Sequence, residues 1–244
     1  METVDVLAIF AHPDDTELCV GGTMIKMKAL GYRTGSLDAT RGEMGTRGTP
    51  ETRAAEANAA ASVLGLDIRE NLGLPDGNVT DDRDSRIKIV RALRRLKPKL
   101  VLTHQSDDPH PDHDAVARLV RSGTRLASMK NFDPETGEQK IAVPRVAHNI
   151  FSRRAEISFV IDIAGHLDTK MDAIKAYSSQ FYDPDSTEPE TRLSSETFLN
   201  EIEDRSRYFG SLIGSRAGEP FFVREVLNID DPLIVLTRSN NLYS

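Results

Sequence analysis

Length, composition and charge already exclude several classes of protein. The chain has 244 residues, 39% of them hydrophobic and 28% charged, which predicts one globular domain over residues 1–244. A net charge of −7 and the absence of tryptophan argue against a nucleic-acid partner. A single cysteine excludes a disulfide framework, and no apolar stretch has the length of a membrane span or the form of a signal peptide. We therefore expect a cytoplasmic protein without a membrane partner.

Short apolar runs alternate with helical patterns along the chain. In chain order, the predicted elements are a strand at 4–10, a helix at 17–30, a strand at 34–39, a helix from Pro50 to Gly65, a strand at 68–72, a helix capped by Asp82 or Asp84, a strand at 99–104, a helix ending near 128, strands at 145–151 and 158–163, helices at 167–178 and 196–212, and a closing strand at 221–229. This alternation predicts an α/β fold, a Rossmann-like and mostly parallel sheet with helices on both faces.

Three polar loops follow strands of this predicted sheet. They cover residues 11–16, 40–48 and 105–113. Ligands of such sheets bind at the carboxyl ends of the strands, so we expect the chemistry of the protein to lie on these loops. A further segment, residues 181–191, carries two prolines and four acidic residues and is predicted to be a loop near the mouth of the site.

The first of these loops carries side chains that suit a metal. His12 and Asp15 are three residues apart in a tight turn that enters a helix, so their side chains can converge on one point. Imidazole and carboxylate are zinc ligands, and an open zinc site uses three protein ligands plus water. Asp14 lies between them and is expected to point elsewhere. The alternative is a helix cap, in which Asp14 or Asp15 binds the first amides of the helix.

A second cluster makes the capping explanation weaker. The sequence His110-Pro111-Asp112-His113 also follows a buried strand, and it offers the third ligand that an open site requires. Two clusters of histidine and carboxylate at the same edge of one sheet favour a metal site.

The motifs resemble those of a known family. Residues 11–17 and 110–113 are similar to the zinc-dependent N-acetylglucosaminyl deacetylases of the PIG-L and LmbE type, and the similarity continues through residues 40–49, 74–77 and 179–181. Within that family the chain most resembles the bacillithiol-biosynthesis branch, whose substrate is N-acetylglucosaminyl malate. The resemblance implies a hydrolase that removes the acetyl group from an N-acetylated amino sugar, and a homo-oligomer, either a trimer or a hexamer.

The resemblance also implies roles for individual residues. One zinc ion per chain would be held by His12, Asp15 and His113. Asp14 would be the general base, protonated His110 would stabilise the oxyanion, and Asp112 would orient a histidine and help to keep it charged. The chemistry agrees, because zinc lowers the pKa of bound water to about 7 and a carboxylate can then complete the deprotonation.

Three arginines are candidates for substrate binding. Arg53 stands where an arginine of the family reaches the substrate, and the alternative is a solvated helix arginine. Arg41 and Arg47 in the preceding loop could hold a carboxylate such as malate, or could have structural or oligomer roles. One residue departs from the branch, since Pro109 occupies the place where bacillithiol-branch sequences often carry an arginine. Plain N-acetylglucosamine, chitobiose or another conjugate is therefore an alternative substrate.

Other functions compete with deacetylation. Clustered histidines and aspartates also serve binuclear metal phosphoesterases, although that chemistry requires more ligands than the three loops readily supply. A nucleotide-binding module would carry a glycine fingerprint after the first strand, where this chain has His-Pro-Asp-Asp. A non-catalytic metal-binding protein would have no need of a free carboxylate at Asp14.

Overall fold

A computed structural model describes residues 3–137, 139–151, 156–231, 233 and 235. The strands are β1 (Val6–Phe10), β2 (Thr34–Asp38), β3 (Ile68–Asn71), β4 (Leu100–His104), β5 (Arg145–Asn149), β6 (Phe159–Asp162) and β7 (Gly218–Phe222). The α-helices are α1 (Asp15–Ala29), α2 (Pro50–Leu64), α3 (Arg83–Leu96), α4 (Pro111–Ala127), α5 (Leu167–Lys175) and α6 (Phe198–Ser211), and Pro134–Thr136 forms one turn of 3-10 helix. Among these helices none has the length and apolar character needed to cross a membrane.

The seven strands form one sheet in the order β3-β2-β1-β4-β5-β7-β6. The first five are parallel, and β7 runs antiparallel between β5 and β6. The predicted α/β fold with a mostly parallel sheet is confirmed. The closing strand predicted at 221–229 is wrong in position, because the strand begins at Gly218 and ends at Phe222. Its pairing positions are set by β5 and β6, which the apolar pattern of residues 221–229 does not reveal.

The core lies on both faces of the sheet because alternate strand residues point in opposite directions. Leu7 and Ile9 of β1 pack in one buried cluster with residues of α3 and α4. Val6, Ala8 and Phe10 pack on the other face with residues of α1. Helices α2, α5 and α6 bury a third cluster behind α1. The parallel strands are therefore covered on both faces, as their continuous apolar sequences require.

Local signals in the sequence fix the helix ends. The hydroxyl of Thr49 accepts a hydrogen bond from the amide of Thr52, and Pro50 begins α2. The helix ends at Gly65, whose φ of 68° is the left-handed conformation that favours glycine. Of the two candidate caps for α3, Asp82 is the one that accepts the amide of Ser85.

Candidate active site

The candidate site lies where the strand order reverses. From β1 the chain moves outward to β2 and β3 and then returns to β4 on the other side of β1. The loops that leave the carboxyl ends of β1 and β4 therefore diverge and open a crevice, the usual position of a ligand in this class of sheet. These loops carry His12 to Asp15 and His110 to His113, so the fold brings the two predicted clusters together.

Both predicted histidine ligands approach the predicted carboxylate ligand. Nδ1 of His12 lies 3.2 Å from Oδ2 of Asp15, and Nε2 of His113 lies 3.5 Å from the same oxygen. Ligand atoms around a tetrahedral zinc ion are about 3.3–3.5 Å apart, given Zn–N and Zn–O bonds of about 2.0–2.2 Å. The donor atoms thus have the chemistry of a zinc site, and each histidine nitrogen lies at a zinc-like distance from Asp15, although the three residues do not form one of the closely spaced groups of possible metal ligands among the described residues.

The remaining nitrogen of each of these imidazoles faces a carboxylate. Nε2 of His12 is 3.1 Å from Asp76 and 3.4 Å from Asp112. Nδ1 of His113 is 3.2 Å from Oδ1 of Asp108. Ligating histidines in metalloproteins commonly have such a partner, which sets the tautomer and leaves the other nitrogen free to bind.

Electrostatics at this cluster favour ionised carboxylates. Burial alone lowers the pKa of His12, but Asp112 and Asp15 outweigh it and raise that pKa well above its usual range. Burial alone raises the pKa of Asp15, and the neighbouring His113 ring holds it well below its usual range instead. Opposite charges therefore stabilise each other inside the crevice.

Two more histidines border the cluster. Among the described residues, three overlapping groups have the geometry to hold a metal ion: His12 with His110 and His113, Asp15 with His104 and His113, and His12 with Asp76 and Asp112. The buried ring of His104 stacks on His113 at a centroid distance of 3.9 Å, and its Nε2 accepts the amide of Ala11 at 2.9 Å. Burial and the neighbouring His113 lower the pKa of His104 to about 4, so this ring is neutral.

Asp14 differs from its neighbours in environment. Asp14 occupies the N-cap position of α1, where its side chain makes no capping hydrogen bond. Its φ of 115° is a strained backbone conformation of the kind that accumulates at functional sites. The side chain is buried, and Oδ2 accepts a hydrogen bond from Nη2 of Arg53 at 2.8 Å. Burial raises the pKa of Asp14 to about 7, although Arg53 opposes that rise. Among the described residues, Asp14 belongs to none of the three groups with the geometry to hold a metal ion.

His110 differs from the expected charged histidine. Its Nδ1 accepts a hydrogen bond from the amide of Asp112 at 3.2 Å, so the proton of the neutral ring lies on Nε2. Burial and the neighbouring His113 lower the pKa of His110. The carboxylate of Asp112 accepts the amides of Gly77 and Val79 and contacts His12. The Asp112 carboxylate thus faces His12, while its backbone amide faces His110.

The three predicted arginines have different environments. Arg53 is buried and donates to Asp14 and to the carbonyl oxygen of Pro13. Arg47 is also buried and donates to the carbonyl oxygens of residues 181, 188 and 189. These bonds anchor the acidic segment 181–191 beside the loop 40–48. Arg41 is exposed and lines a crevice of about 170 Å³ with Pro13. Of the three, Arg41 presents the most accessible guanidinium.

Two carboxylates at the site have no assigned role in the sequence prediction. Asp76 contacts His12 and also accepts the amide of Met44, so it connects the loop 11–16 to the loop 40–48. Asp108 contacts His113. The segment 74–77 does carry the family resemblance and could have pointed to Asp76. Asp108 lies among four aspartates between residues 107 and 114, and the sequence gives no signal that distinguishes it.

The comparison with known proteins finds one family. The model of the PIG-L family, described as GlcNAc-PI de-N-acetylase, matches residues 7–123, which include both histidine clusters. Diacetylchitobiose deacetylase of Thermococcus kodakarensis is 28% identical over 189 residues, covering 72% of this chain and 70% of the relative. "Probable N-acetyl-alpha-D-glucosaminyl L-malate deacetylase 2" of Bacillus anthracis is 26% identical over 189 residues, covering 72% and 81%.

Two further similarities concern the fold and the range of reactions. The conserved protein TT1542 from Thermus thermophilus is 37% identical in sequence, with a TM-score of 0.84 over 93% of this chain and 98% of that chain. A 4-oxalmesaconate hydratase of Pseudomonas putida is 30% identical over 107 residues, covering 43% of this chain and 40% of the relative. The relatives thus include deacetylases and one hydratase.

Proposed function

The chain belongs to the PIG-L family of GlcNAc-PI de-N-acetylases, and from that premise we propose that it is a zinc-dependent hydrolase that removes the N-acetyl group from an N-acetylglucosamine-containing substrate. One observation carries the proposal. His12 and His113 each place a ring nitrogen within 3.5 Å of Asp15, next to Asp14, a buried carboxylate outside the proposed ligand set. A binding site alone would not require that carboxylate.

The metal would be held by His12 Nδ1, the carboxylate of Asp15 and His113 Nε2, one ion per chain. A divalent ion bound there supplies Lewis acidity and lowers the pKa of water towards 7. Asp76 and Asp112 face the other nitrogen of His12 and keep that ring in the required orientation.

Asp14 carries the proton in this proposal. It accepts a proton from the attacking water as the new C–O bond forms at the acetyl carbon, and it then passes the proton to the amine nitrogen as the C–N bond breaks. The products are acetate and the free amino sugar. Arg53 holds the carboxylate in place through its 2.8 Å contact.

His110 stabilises the oxyanion of the tetrahedral intermediate. The amide of Asp112 occupies Nδ1, which leaves Nε2–H as the donor of the neutral ring. Removing one such donor in comparable sites lowers kcat by about 10²–10³. A neutral donor suffices for this role, so the reaction does not require the imidazolium that the sequence prediction assumed.

The substrate class follows from the relatives and from the arginines. N-acetylglucosaminyl malate, the bacillithiol precursor, is one candidate, and diacetylchitobiose or N-acetylglucosamine is another. A malate carboxylate would be recognised by Arg41, because Arg47 and Arg53 already donate to internal acceptors. Pro109 in place of the branch arginine and the acidic segment 181–191 favour a neutral sugar over the malate conjugate.

The proposed domain organisation, location and assembly of the enzyme are those predicted from the sequence. We propose a single domain over residues 1–244 that acts in the cytoplasm on a small-molecule substrate, as a trimer or hexamer. The lone cysteine, Cys19, is buried and free, which agrees with a reducing compartment.

The test is release of amine from a panel of acetylated sugars. N-acetylglucosamine, diacetylchitobiose and N-acetylglucosaminyl malate would be incubated with protein freed of metal by a chelator and with protein resupplied with zinc. We expect release of a primary amine and of acetate only with metal. 4-Oxalmesaconate and p-nitrophenyl phosphate represent the hydratase and phosphoesterase alternatives. Turnover of one of these, with no amine from any sugar, would replace the proposal.

A further inference from the structure

The loop between β4 and α4 is shaped by two of its own carboxylates. Asp107 adopts a φ of 61°, and its amide donates to Oδ1 of Asp114 at 3.0 Å. Oδ1 of Asp108 accepts the amide of His110 at 2.9 Å and lies 3.2 Å from Nδ1 of His113. The Asp108 side chain is only 6% exposed, so it is directed inward against both histidines.

The Asp108 carboxylate faces Nδ1 of His113 at an ion-pair distance of 3.2 Å, without the alignment of a full hydrogen bond. A neutral imidazole has one N–H, and a carboxylate at Nδ1 keeps the proton there because it can only accept. The lone pair is then on Nε2, which faces Asp15 at 3.5 Å. Stacking on His104, with the ring planes within 9° of parallel, restricts rotation of the ring.

We propose that Asp108 is the positioning residue of His113: it fixes the Nδ1–H tautomer and the ring orientation that direct Nε2 at the metal site. This inference rests on the proposed metal-dependent function and adds a residue to it. Asp108 touches neither substrate nor metal, and it acts through His113.

A purely structural role in the loop is the competing explanation, because Asp108 also binds the His110 amide. Asp114 offers a matched control, since its described contacts are with Asp107 in the same loop and with Arg118 one helical turn away. Asp114→Ala removes a loop anchor of the same chemical type. Asp108→Asn keeps an oxygen that can accept from Nδ1–H but removes the charge.

The experiment measures zinc affinity by competition with a chromophoric chelator in the full chain. Loss of a carboxylate partner of a ligating histidine usually weakens metal affinity about 10–100-fold, so we expect that loss for Asp108→Ala and a smaller one for Asp108→Asn. Asp114→Ala should stay within about threefold of wild type. An unchanged zinc Kd in Asp108→Ala, or an equal loss in Asp114→Ala, would overturn the inference.

A second measurement separates this inference from the proposed function. Two-bond ¹H–¹⁵N correlation spectra of the metal-free protein report imidazole tautomers, and His113→Ala identifies the signal of His113. At a pH high enough for a neutral His113 ring, we expect the Nδ1–H tautomer in wild type and a mixture of tautomers in Asp108→Ala. If wild type binds no zinc, the proposed function fails while these spectra still decide the role of Asp108. If both proteins show the same tautomer, the inference fails whatever the zinc result.

Discussion

Replacement of Arg53 by alanine should damage both stability and turnover. Arg53 and Asp14 are each 4% exposed, and Nη2 lies 2.8 Å from the Asp14 carboxylate. Removing one member of a buried ion pair leaves the other charge uncompensated and typically costs about 3–5 kcal/mol. For a chain of this length each kcal/mol lowers Tm by about 2–4 °C, which gives an expected loss of about 6–20 °C.

The kinetic defect of Arg53→Ala distinguishes two roles for this arginine. If Arg53 holds the base, kcat falls and KM changes little, because the missing interaction acts on the chemical step. If Arg53 binds the substrate directly, as the sequence predicts, KM rises as well. Circular dichroism during thermal unfolding measures the Tm. Initial rates of amine release at saturating zinc give kcat and KM.

A double-mutant cycle isolates the pair itself. In an Asp14→Asn background the carboxylate charge is already gone, so adding Arg53→Ala should lower Tm by less than it does in the wild type. Equal losses in the two backgrounds would refute the reasoning, because they would mean that Arg53 stabilises the fold without acting on Asp14.

Two further predictions concern stability away from the chemistry. Burial raises the pKa of Asp67, but hydrogen bonds from Lys28 and from the amide of Thr34 outweigh burial and lower that pKa below its usual 3.8. The stabilisation that Asp67 contributes to the fold is therefore present above pH 3.8 and is lost as the pH falls through the lowered pKa. Asp67→Asn should therefore unfold at lower urea than wild type at pH 6, with the gap closing at pH 3, and a gap that is independent of pH would contradict this. A Cβ on Gly210 would lie 2.5 Å from the backbone nitrogen of Ala217, so Gly210→Ala should lower the free energy of unfolding in urea by about 1–3 kcal/mol. Gly165→Ala is the control, because a Cβ there meets no atom within 4 Å and should leave the free energy of unfolding unchanged.

Part of the site could be predicted from the sequence because short-range rules determine it. An apolar strand followed by His12, Asp14 and Asp15 places these residues at the carboxyl end of a parallel sheet, and the second cluster follows the same rule. Neither motif predicts the strand order that makes β1 and β4 neighbours. It follows from packing α3 and α4 against the same face of the sheet.

The remaining details depend on loop backbone that has no periodicity. The inward direction of Asp108, among several aspartates, is accompanied by its contacts with the His110 amide and the His113 ring, which no sequence pattern predicts. The burial of Arg47 depends on carbonyl oxygens of residues 181–189, more than 130 positions away along the chain. The sequence likewise gives no sign that Nδ1 of His110 caps α4 and accepts the amide of Asp112.

The central claim is that Asp14 carries protons while its neighbours hold the metal, and one parallel measurement tests it. Zinc content and amine release would be determined on the same samples of wild type and Asp14→Asn, which keeps the shape of the side chain and tolerates the positive φ better than most residues. We expect equal zinc content and a kcat lower by about 10²–10⁴, the usual contribution of a general acid–base group. Loss of the zinc from Asp14→Asn would make Asp14 a ligand, and full activity with zinc bound would place the base elsewhere; either result would contradict the account.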